Sequence, residues 1–463
     1  MSEAESSPLR LSFEGGTIVV DGLEDGDARG LPGLVRDVRT GQFRAEAIWY
    51  RALVEHMQRE GIVYEDKARS YKKTVWTLQV EKAAFPHQTE ALEAWWKAGA
   101  RGVVVLPTGT GKTHMAILAI ARAQRPTLVV TPTIDLMNQW QDELALAFGV
   151  EVGMLGGGSY DIKPLTVTTY DSAYLNLDRT GNQFGLVVFD ECHHLPGPTY
   201  GLAATGSLAP FRLGLTATPE RADNAHTQLD HLIGPILYRR EITQLRGRYL
   251  ADYRVETLMV NLSDEDRKRY DSCREFYRGF LRAEGIDMRQ PDSWGKFLKI
   301  AFRTGEGRQA YQAYREQREL ALAAPAKLKL LTRILDRHHG DRVLIFTHDN
   351  ATVYRIAREF LVPVITHQTK AKERRDVLLK FNSGAYPIVA TSRVLNEGVN
   401  VPEANVAVVM SGSSTVREHV QRLGRILRKS GDKEAVLYEV VTRGTVEEFA
   451  SSRRRKHSAY GGE

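Results

Sequence analysis

The stretch Leu106-Pro107-Thr108-Gly109-Thr110-Gly111-Lys112-Thr113 decides the fold. An apolar run at 102–106 predicts a buried strand, and residues 115–122 predict a helix. A glycine-rich turn between them aims backbone N–H groups at an anion, with the positive end of the helix dipole behind. Gly109 and Gly111 supply unusual backbone angles and leave room for phosphate. Lys112 can reach the β- and γ-phosphates of a nucleoside triphosphate, and the Thr113 hydroxyl can ligate Mg²⁺. The first glycine of the usual pattern is replaced by Leu106, so the match begins at Pro107.

Working outward, 463 residues suggest roughly three domains. A hydrophobic content of 42% and a charged content of 26% exclude wholesale disorder. The net charge of +6 is compatible with a polyanionic partner without demanding one. Only Cys192 and Cys273 occur, which argues for a reducing compartment and against a disulfide framework or a Cys₄ metal site. Neither a signal peptide nor an apolar run of about 20 residues is evident, so the expectation is a cytoplasmic protein.

Strands at 102–106, 127–130, 165–168, 186–189 and 212–215 alternate with helical stretches and predict a helix-covered parallel sheet. A second alternating series has strands at 343–346, 387–390, 407–410 and 435–441. Residues 262–325 read as a charged helical hairpin, with Tyr270, Phe276, Tyr277, Phe280 and Leu281 near helical spacing. Near the N-terminus, 17–20 predict a strand, 45–59 a helix and 65–74 a linker. Trp49 and Tyr50, beside basic residues, suit either a nucleic-acid surface or a small core.

Strand 186–189 ends in Asp190-Glu191-Cys192-His193. At the sheet edge that carries the phosphate loop, Asp190 can hold Mg²⁺, and Glu191 can orient and deprotonate an attacking water. His193 suits a link from that site to a neighbouring element. Thr131 and Thr169 follow other strands, where hydroxyls and backbone N–H groups could hold a sugar–phosphate backbone, while Thr216 and Thr218 offer two small hydroxyls at the same edge, for DNA contact or coupling or as an ordinary helix cap. Gln88 could read an adenine edge with two hydrogen bonds. The second series has no phosphate loop and offers Gln421-Arg422-Leu423-Gly424-Arg425-Ile426-Leu427-Arg428. Arginines presented by another domain stabilise charge on a transferring phosphoryl group.

Gln88, Pro107–Thr113, Thr131-Pro132-Thr133, Asp190–His193, Thr216-Ala217-Thr218, residues 392–402 and Gln421–Arg428 stand in the order of the superfamily-two helicase motifs. With residues 14–20, Tyr170-Asp171-Ser172-Ala173-Tyr174, 209–218, 280–283 and 409–413, the chain resembles the XPB family along nearly its whole length, the archaeal type in particular. The resemblance implies an α/β fold of two RecA-like parallel-sheet lobes, a small N-terminal α+β domain and a helical thumb. The expected divisions are a damage-recognition-like domain at 1–78, lobe one at 79–245, linker and thumb at 246–326, and lobe two at 327–463.

The resemblance also implies a monomeric, ATP- and Mg²⁺-dependent 3′-to-5′ DNA helicase or translocase, acting in nucleotide excision repair. Lys112, Asp190, Glu191, Gln421, Arg425 and Arg428 form its expected catalytic set, and a repair nuclease is the protein partner implied for archaeal-type relatives. The family's Arg-Glu-Asp element stands here as Arg221-Ala222-Asp223, with alanine in place of the glutamate, and the position before Val-Pro in the fifth motif, often an acid, is Asn400. Arg221 and Asp223 join the expected DNA-contacting or coupling residues. Two rival readings are an RNA helicase of the same superfamily and an ATP-gated DNA wedge that does little unwinding.

Overall fold

The computed structural model describes residues 9–23, 30–80, 82–221, 223–245, 249, 252–290, 292–392, 404–411 and 434–455. Among these, one compact unit ends at Glu241 and another begins at Ile242.

The first unit opens with a five-stranded sheet ordered β3-β4-β2-β1-β5. Its strands are β1 (Leu9–Glu14), β2 (Thr17–Asp21), β3 (Val35–Arg36), β4 (Phe43–Glu46) and β5 (Tyr64–Asp66). Leu11, Ile18, Val20 and Phe43 project from it onto Tyr50, Leu53 and Met57 of helix α1 (Tyr50–Arg59). That helix does not begin at residue 45, because Ala45 and Glu46 pair with Ile18 and Thr17 in the sheet. Nor is 65–74 simply a linker: β5 lies parallel to β1. Tyr50 is core, its hydroxyl donating to Asp66 Oδ2 at 2.6 Å, and Trp49 fills the space where a Cβ on Gly33 would sit.

This small domain is fastened to the rest of its unit. Leu208 enters its core, Arg51 Nη1 donates to the Gly99 carbonyl at 2.5 Å, and Ser70 N–H to that of Asn182 at 3.0 Å.

The larger sheet of the unit has eight strands: β6 (Arg101–Val105), β7 (Thr127–Thr131), β8 (Gly153–Gly156), β9 (Ser159–Asp161), β10 (Leu165–Thr169), β11 (Leu186–Asp190), β12 (Phe211–Thr216) and β13 (Ile236–Arg239). The order is β13-β6-β12-β11-β7-β10-β8-β9, parallel except where β8 meets β9. Apolar side chains alternate between its faces. Val104, Val129, Val188 and Leu213 meet Trp95 of α2 (Pro86–Lys97), Met115 of α3 (Lys112–Ala123) and Trp140 of α4 (Ile134–Phe148). Val103, Val130, Val187 and Phe189 pack on the other side with Phe184 and Tyr170 of α5 (Tyr170–Leu175). Burial on both faces is what the near-continuous apolar strands demand.

The second unit holds a six-stranded sheet ordered β14-β19-β18-β15-β17-β16, parallel throughout. The strands are β14 (Asp252–Val260), β15 (Val343–Phe346), β16 (Val364–Ile365), β17 (Ile388–Thr391), β18 (Val406–Val409) and β19 (Glu434–Thr442). Residues 252–260 are thus part of this sheet rather than linker. The helical region follows as three helices instead of a hairpin: α6 (Asp264–Ala283), α7 (Ser293–Ala301) and α8 (Gly305–Leu322). Ser263 caps α6, and Asp264, Glu265 and Asp266 place negative charge at its positive end. Tyr277, Phe280 and Leu281 pack against Phe297 and Ala310, whereas Phe276 is 39% exposed on another face. Helix α9 (Pro325–Arg337) leads into β15, with α10 (Asn350–Phe360), α11 (Ala371–Asn382) and α12 (Val446–Arg455) completing the described helices used here. No helix among the described residues is long and apolar enough to cross a membrane.

Candidate active site

The loop between β6 and α3 has the geometry of an anion cradle. Gly109 and Gly111 take φ of +86° and +82°, angles that a side chain disfavours. A Cβ on Gly111 would also come within 2.3 Å of Gln88 Nε2. The Thr110 hydroxyl donates to the Pro107 carbonyl at 2.7 Å and closes the turn from inside. Lys112 follows at the start of α3, its Nζ 3.3 Å from the Leu106 carbonyl oxygen and 3.9 Å from Glu191 Oε1. Thr113 is the next residue of the same turn.

Gln88 does not read a base here. Its amide oxygen accepts the Phe85 N–H at 2.9 Å, and its amide nitrogen donates to the Thr110 and Gly111 carbonyls at 3.0 and 3.1 Å. The side chain is wholly buried and acts as a strut beneath the loop. His87 Nε2, 2.9 Å from the same Thr110 oxygen, reinforces it. The Phe85–Gln88 spacing was the available signal, since Gln three residues after an N-cap can turn back to cap the helix.

Asp190 and Glu191 end β11 beside the loop. Asp190 Oδ1 accepts the Glu191 N–H at 3.0 Å, and Oδ2 accepts the Trp140 indole N–H at 2.8 Å. Burial, and then the neighbouring Glu191 charge, push the Asp190 carboxyl up to about 6, against the pull of Trp140 and Lys112. Glu191 has φ +47°, a left-handed angle costing a non-glycine residue about 1–3 kcal/mol. The turn is held from below by the Tyr170 hydroxyl, which donates to the Asp190 carbonyl at 3.0 Å.

Three buried oxygens around this group, Thr108 Oγ1, Glu191 Oε2 and Thr218 Oγ1, make no hydrogen bond among the described residues. Orphaned acceptors and hydroxyls beside a lysine and an open glycine turn fit a phosphate, its cation and a water. His193 Nδ1 lies 3.0 Å from Thr216 Oγ1 and 3.5 Å from Glu191 Oε2, so the turn after β11 touches the end of β12. Among the described residues no cluster of His, Cys, Asp and Glu forms a separate metal site, and burial pushes the Cys192 thiol up.

Three of the threonines turn into the protein. Thr131 is fully buried, with its hydroxyl turned to the Thr133 and Thr168 carbonyls at 3.2 Å, and so cannot present that group to a sugar–phosphate backbone. Thr169, 6% exposed, caps α5 by accepting the Ser172 N–H at 3.2 Å. Thr216 is likewise buried, serving His193 and the Thr218 N–H. Arg221 forks onto Asp223 at 3.0 and 2.7 Å and donates to the His193 carbonyl at 2.9 Å, which ties this element to the turn after β11. Ala222, residues 393–403 with Asn400, and Gln421, Arg425 and Arg428 lie outside the described residues. Trp140, absent from the expected site, and Tyr170, expected only as part of the family resemblance, stand out as supports once burial and distance are known.

Residues 81–221 match the type III restriction enzyme res subunit model, and 326–430 the helicase conserved C-terminal domain. Residues 11–68 match the xeroderma pigmentosum group B helicase damage recognition domain. The chain is 43% identical over 370 residues to a DNA 3′-5′ translocase XPB2 of Sulfurisphaera tokodaii, covering 80% of this chain and 84% of that one. The chain belongs to the XPB family.

A DNA 3′-5′ helicase XPB of Kineococcus radiotolerans is 30% identical over 80% of this chain, and one of Mycobacterium tuberculosis 29% identical over the same share; the match spans 62% of each of those proteins. A solved Pyrococcus furiosus Hef helicase domain aligns with a TM-score of 0.57 at 20% identity, covering 80% of this chain and 98% of that one, and shares the fold. With the two helicase-type family matches at 81–221 and 326–430, the sheets described above are RecA-like helicase lobes, and the XPB-type domain at 11–68 precedes both. Helicase domains of this kind use a nucleotide, ATP.

Proposed function

We propose that this XPB-family chain is an ATP-dependent 3′-to-5′ DNA helicase or translocase that opens duplex DNA in nucleotide excision repair. The carrying observation is the group formed by Lys112, Asp190 and Glu191 at the strained end of β11, in a chain whose damage-recognition-type domain precedes two helicase lobes. Pro107–Thr113 bind the triphosphate, with Lys112 on its β- and γ-phosphates. Thr113 and Asp190 would hold Mg²⁺, which would supply positive charge to the phosphates when bound. Glu191 orients the attacking water and takes its proton. Gln421, Arg425 and Arg428 complete the proposed catalytic set.

His193, Thr216 and Thr218 relay the state of this site to Arg221 and Asp223, supported by the contacts from Glu191 through His193 to Thr216. DNA is held mainly by its phosphates, so binding falls with salt and shows little sequence preference. A division into N-terminal domain, first lobe, helical thumb and second lobe, with β14 at 252–260 counted in the second lobe's sheet, belongs to the same proposal, as do a monomeric state, a repair nuclease partner and a cytoplasmic location.

The test is directional. A 3′-to-5′ motor uses ATP to clear streptavidin from the 5′ end of a single strand and to displace a strand from a duplex with a 3′ tail. Clearance from the 3′ end alone would overturn the proposed polarity. A second reading, an ATP-gated wedge, is favoured by the Arg221–Asp223 fork, which leaves both groups engaged with each other. It predicts DNA-stimulated hydrolysis without clearance or strand displacement.

A further inference from the structure

Asp190 is oriented by two donors from different parts of the fold. One is the N–H of Glu191, the next residue; the other comes from Trp140, 50 positions earlier. Trp140 is 1% exposed within the core beneath α4, and its indole carries one donor, Nε1–H, spent on Asp190 Oδ2 at 2.8 Å. The ring is large and packed among Met137, Leu144 and Val188, so the donor has little freedom to follow a rotating carboxylate. Turning Asp190 away would leave a buried indole N–H without its acceptor, which is unfavourable. Each carboxylate oxygen keeps a further lone-pair direction for a cation or its water.

We propose that Trp140 is a positioning residue for the metal-binding carboxylate: its indole N–H fixes Asp190 in the orientation that accepts a divalent cation. The inference rests on the proposed role of Asp190 in holding Mg²⁺. It is separable from nucleotide binding by the phosphate loop, which Lys112 and the loop amides carry. Outer partners of metal ligands typically contribute 10–100-fold to metal affinity.

The test uses the full chain with Trp140→Phe, which keeps an aromatic ring and removes the N–H. Calorimetric titration of Mg²⁺ into ADP-loaded protein should show a dissociation constant raised about 10-fold or more, within the range for such partners. ADP affinity in EDTA should stay within about 2-fold of wild type, because binding without metal does not involve Asp190's orientation. A residue that only fills the core would lower the melting temperature and leave the Mg²⁺ constant unchanged; that result overturns the proposal.

A measurement on the wild-type chain guards against a variant that fails to fold. With tryptophan ¹⁵N-labelled, six indole resonances are expected. Mg²⁺ added to the ADP-loaded protein should move a far-downfield one, as expected for an N–H bonded to a carboxylate. No indole shift at saturating Mg²⁺ would also overturn the proposal. If the wild type binds no ADP while Lys112→Ala behaves identically, it is the nucleotide-site reading that has failed.

Discussion

Lobe two buries Lys327 and Glu447 at 1% and 2% side-chain exposure and satisfies both. Lys327 Nζ donates to the Glu447 carboxylate at 2.7 Å and to the Met410 and Val440 carbonyls at 2.6 and 3.1 Å. Glu447 also accepts the Thr442 N–H at 2.9 Å. Lobe one buries Asp190 beside partly buried Glu191, two acids in succession, with one lysine at 3.9 Å, His193 Nδ1 at 3.5 Å, and no hydrogen bond to Glu191 Oε2 among the described residues. Both lobes are built on mainly parallel sheets covered by helices, so the fold does not dictate the difference. A closed ion pair resists change; an open one waits for a ligand. Incomplete satisfaction of buried charge, rather than its presence, marks the site.

The comparison breaks most visibly at Lys327. Lys327→Met strands a buried carboxylate and should cost about 3–5 kcal/mol in denaturant unfolding of the full chain. Lys327→Met with Glu447→Leu should recover most of that loss, since an apolar replacement of both partners is often neutral. A loss under about 1 kcal/mol in the single variant would leave lobe two's pair no more consequential than a surface one.

Glu191→Gln should show the opposite profile. Turnover should fall about 100-fold or more, while ADP affinity and melting temperature hold or rise, because removing the charge beside buried Asp190 relieves repulsion. Normal turnover would remove Glu191 from its role.

A smaller effect follows from Asp190, whose carboxyl is pushed up to about 6 by burial and by Glu191. The raised value means that the nucleotide-free fold holds this proton more tightly than the unfolded chain does. Ionisation therefore costs stability above about pH 6, and that cost fades as pH falls toward the ordinary carboxylate range. Mg²⁺ needs the ionised form, so Mg²⁺ affinity of the ADP-loaded protein should fall below pH 6, up to about 10-fold per unit. Asp190→Asn should abolish that dependence; a dependence that survives the change would assign it elsewhere. Smallest is Thr133→Ala, which removes the cap of α4 and should cost about 1 kcal/mol in thermal unfolding without altering turnover. A measurable loss of turnover would instead tie that cap to the site.

The sequence carried the phosphate loop and most strands because their signals are local: a glycine pair before a lysine, or an apolar run of five residues. It missed β14, whose Asp-Tyr-Arg-Val-Glu-Thr-Leu-Met-Val alternates charged and apolar residues and pairs with β19, 182 positions later at its first register pair. It placed Gln88 and Thr131 by residue type, and burial redirected both to the protein's own backbone. The Trp140–Asp190 bond has no sequence signature, since helical spacing says which face is buried but not what an indole meets there. The glycine turn and the acidic strand end were legible; the side chains that support them were not.

The central claim is that ATP hydrolysis at Lys112, Asp190 and Glu191 is harnessed to DNA. The most direct measurement is the ATPase rate without nucleic acid and with single-stranded DNA, duplex DNA or RNA, using Lys112→Ala as the blank. Strong stimulation by DNA, little by RNA and none in the blank is the predicted result. Stimulation by RNA equal to or above that by DNA would contradict the DNA-repair assignment.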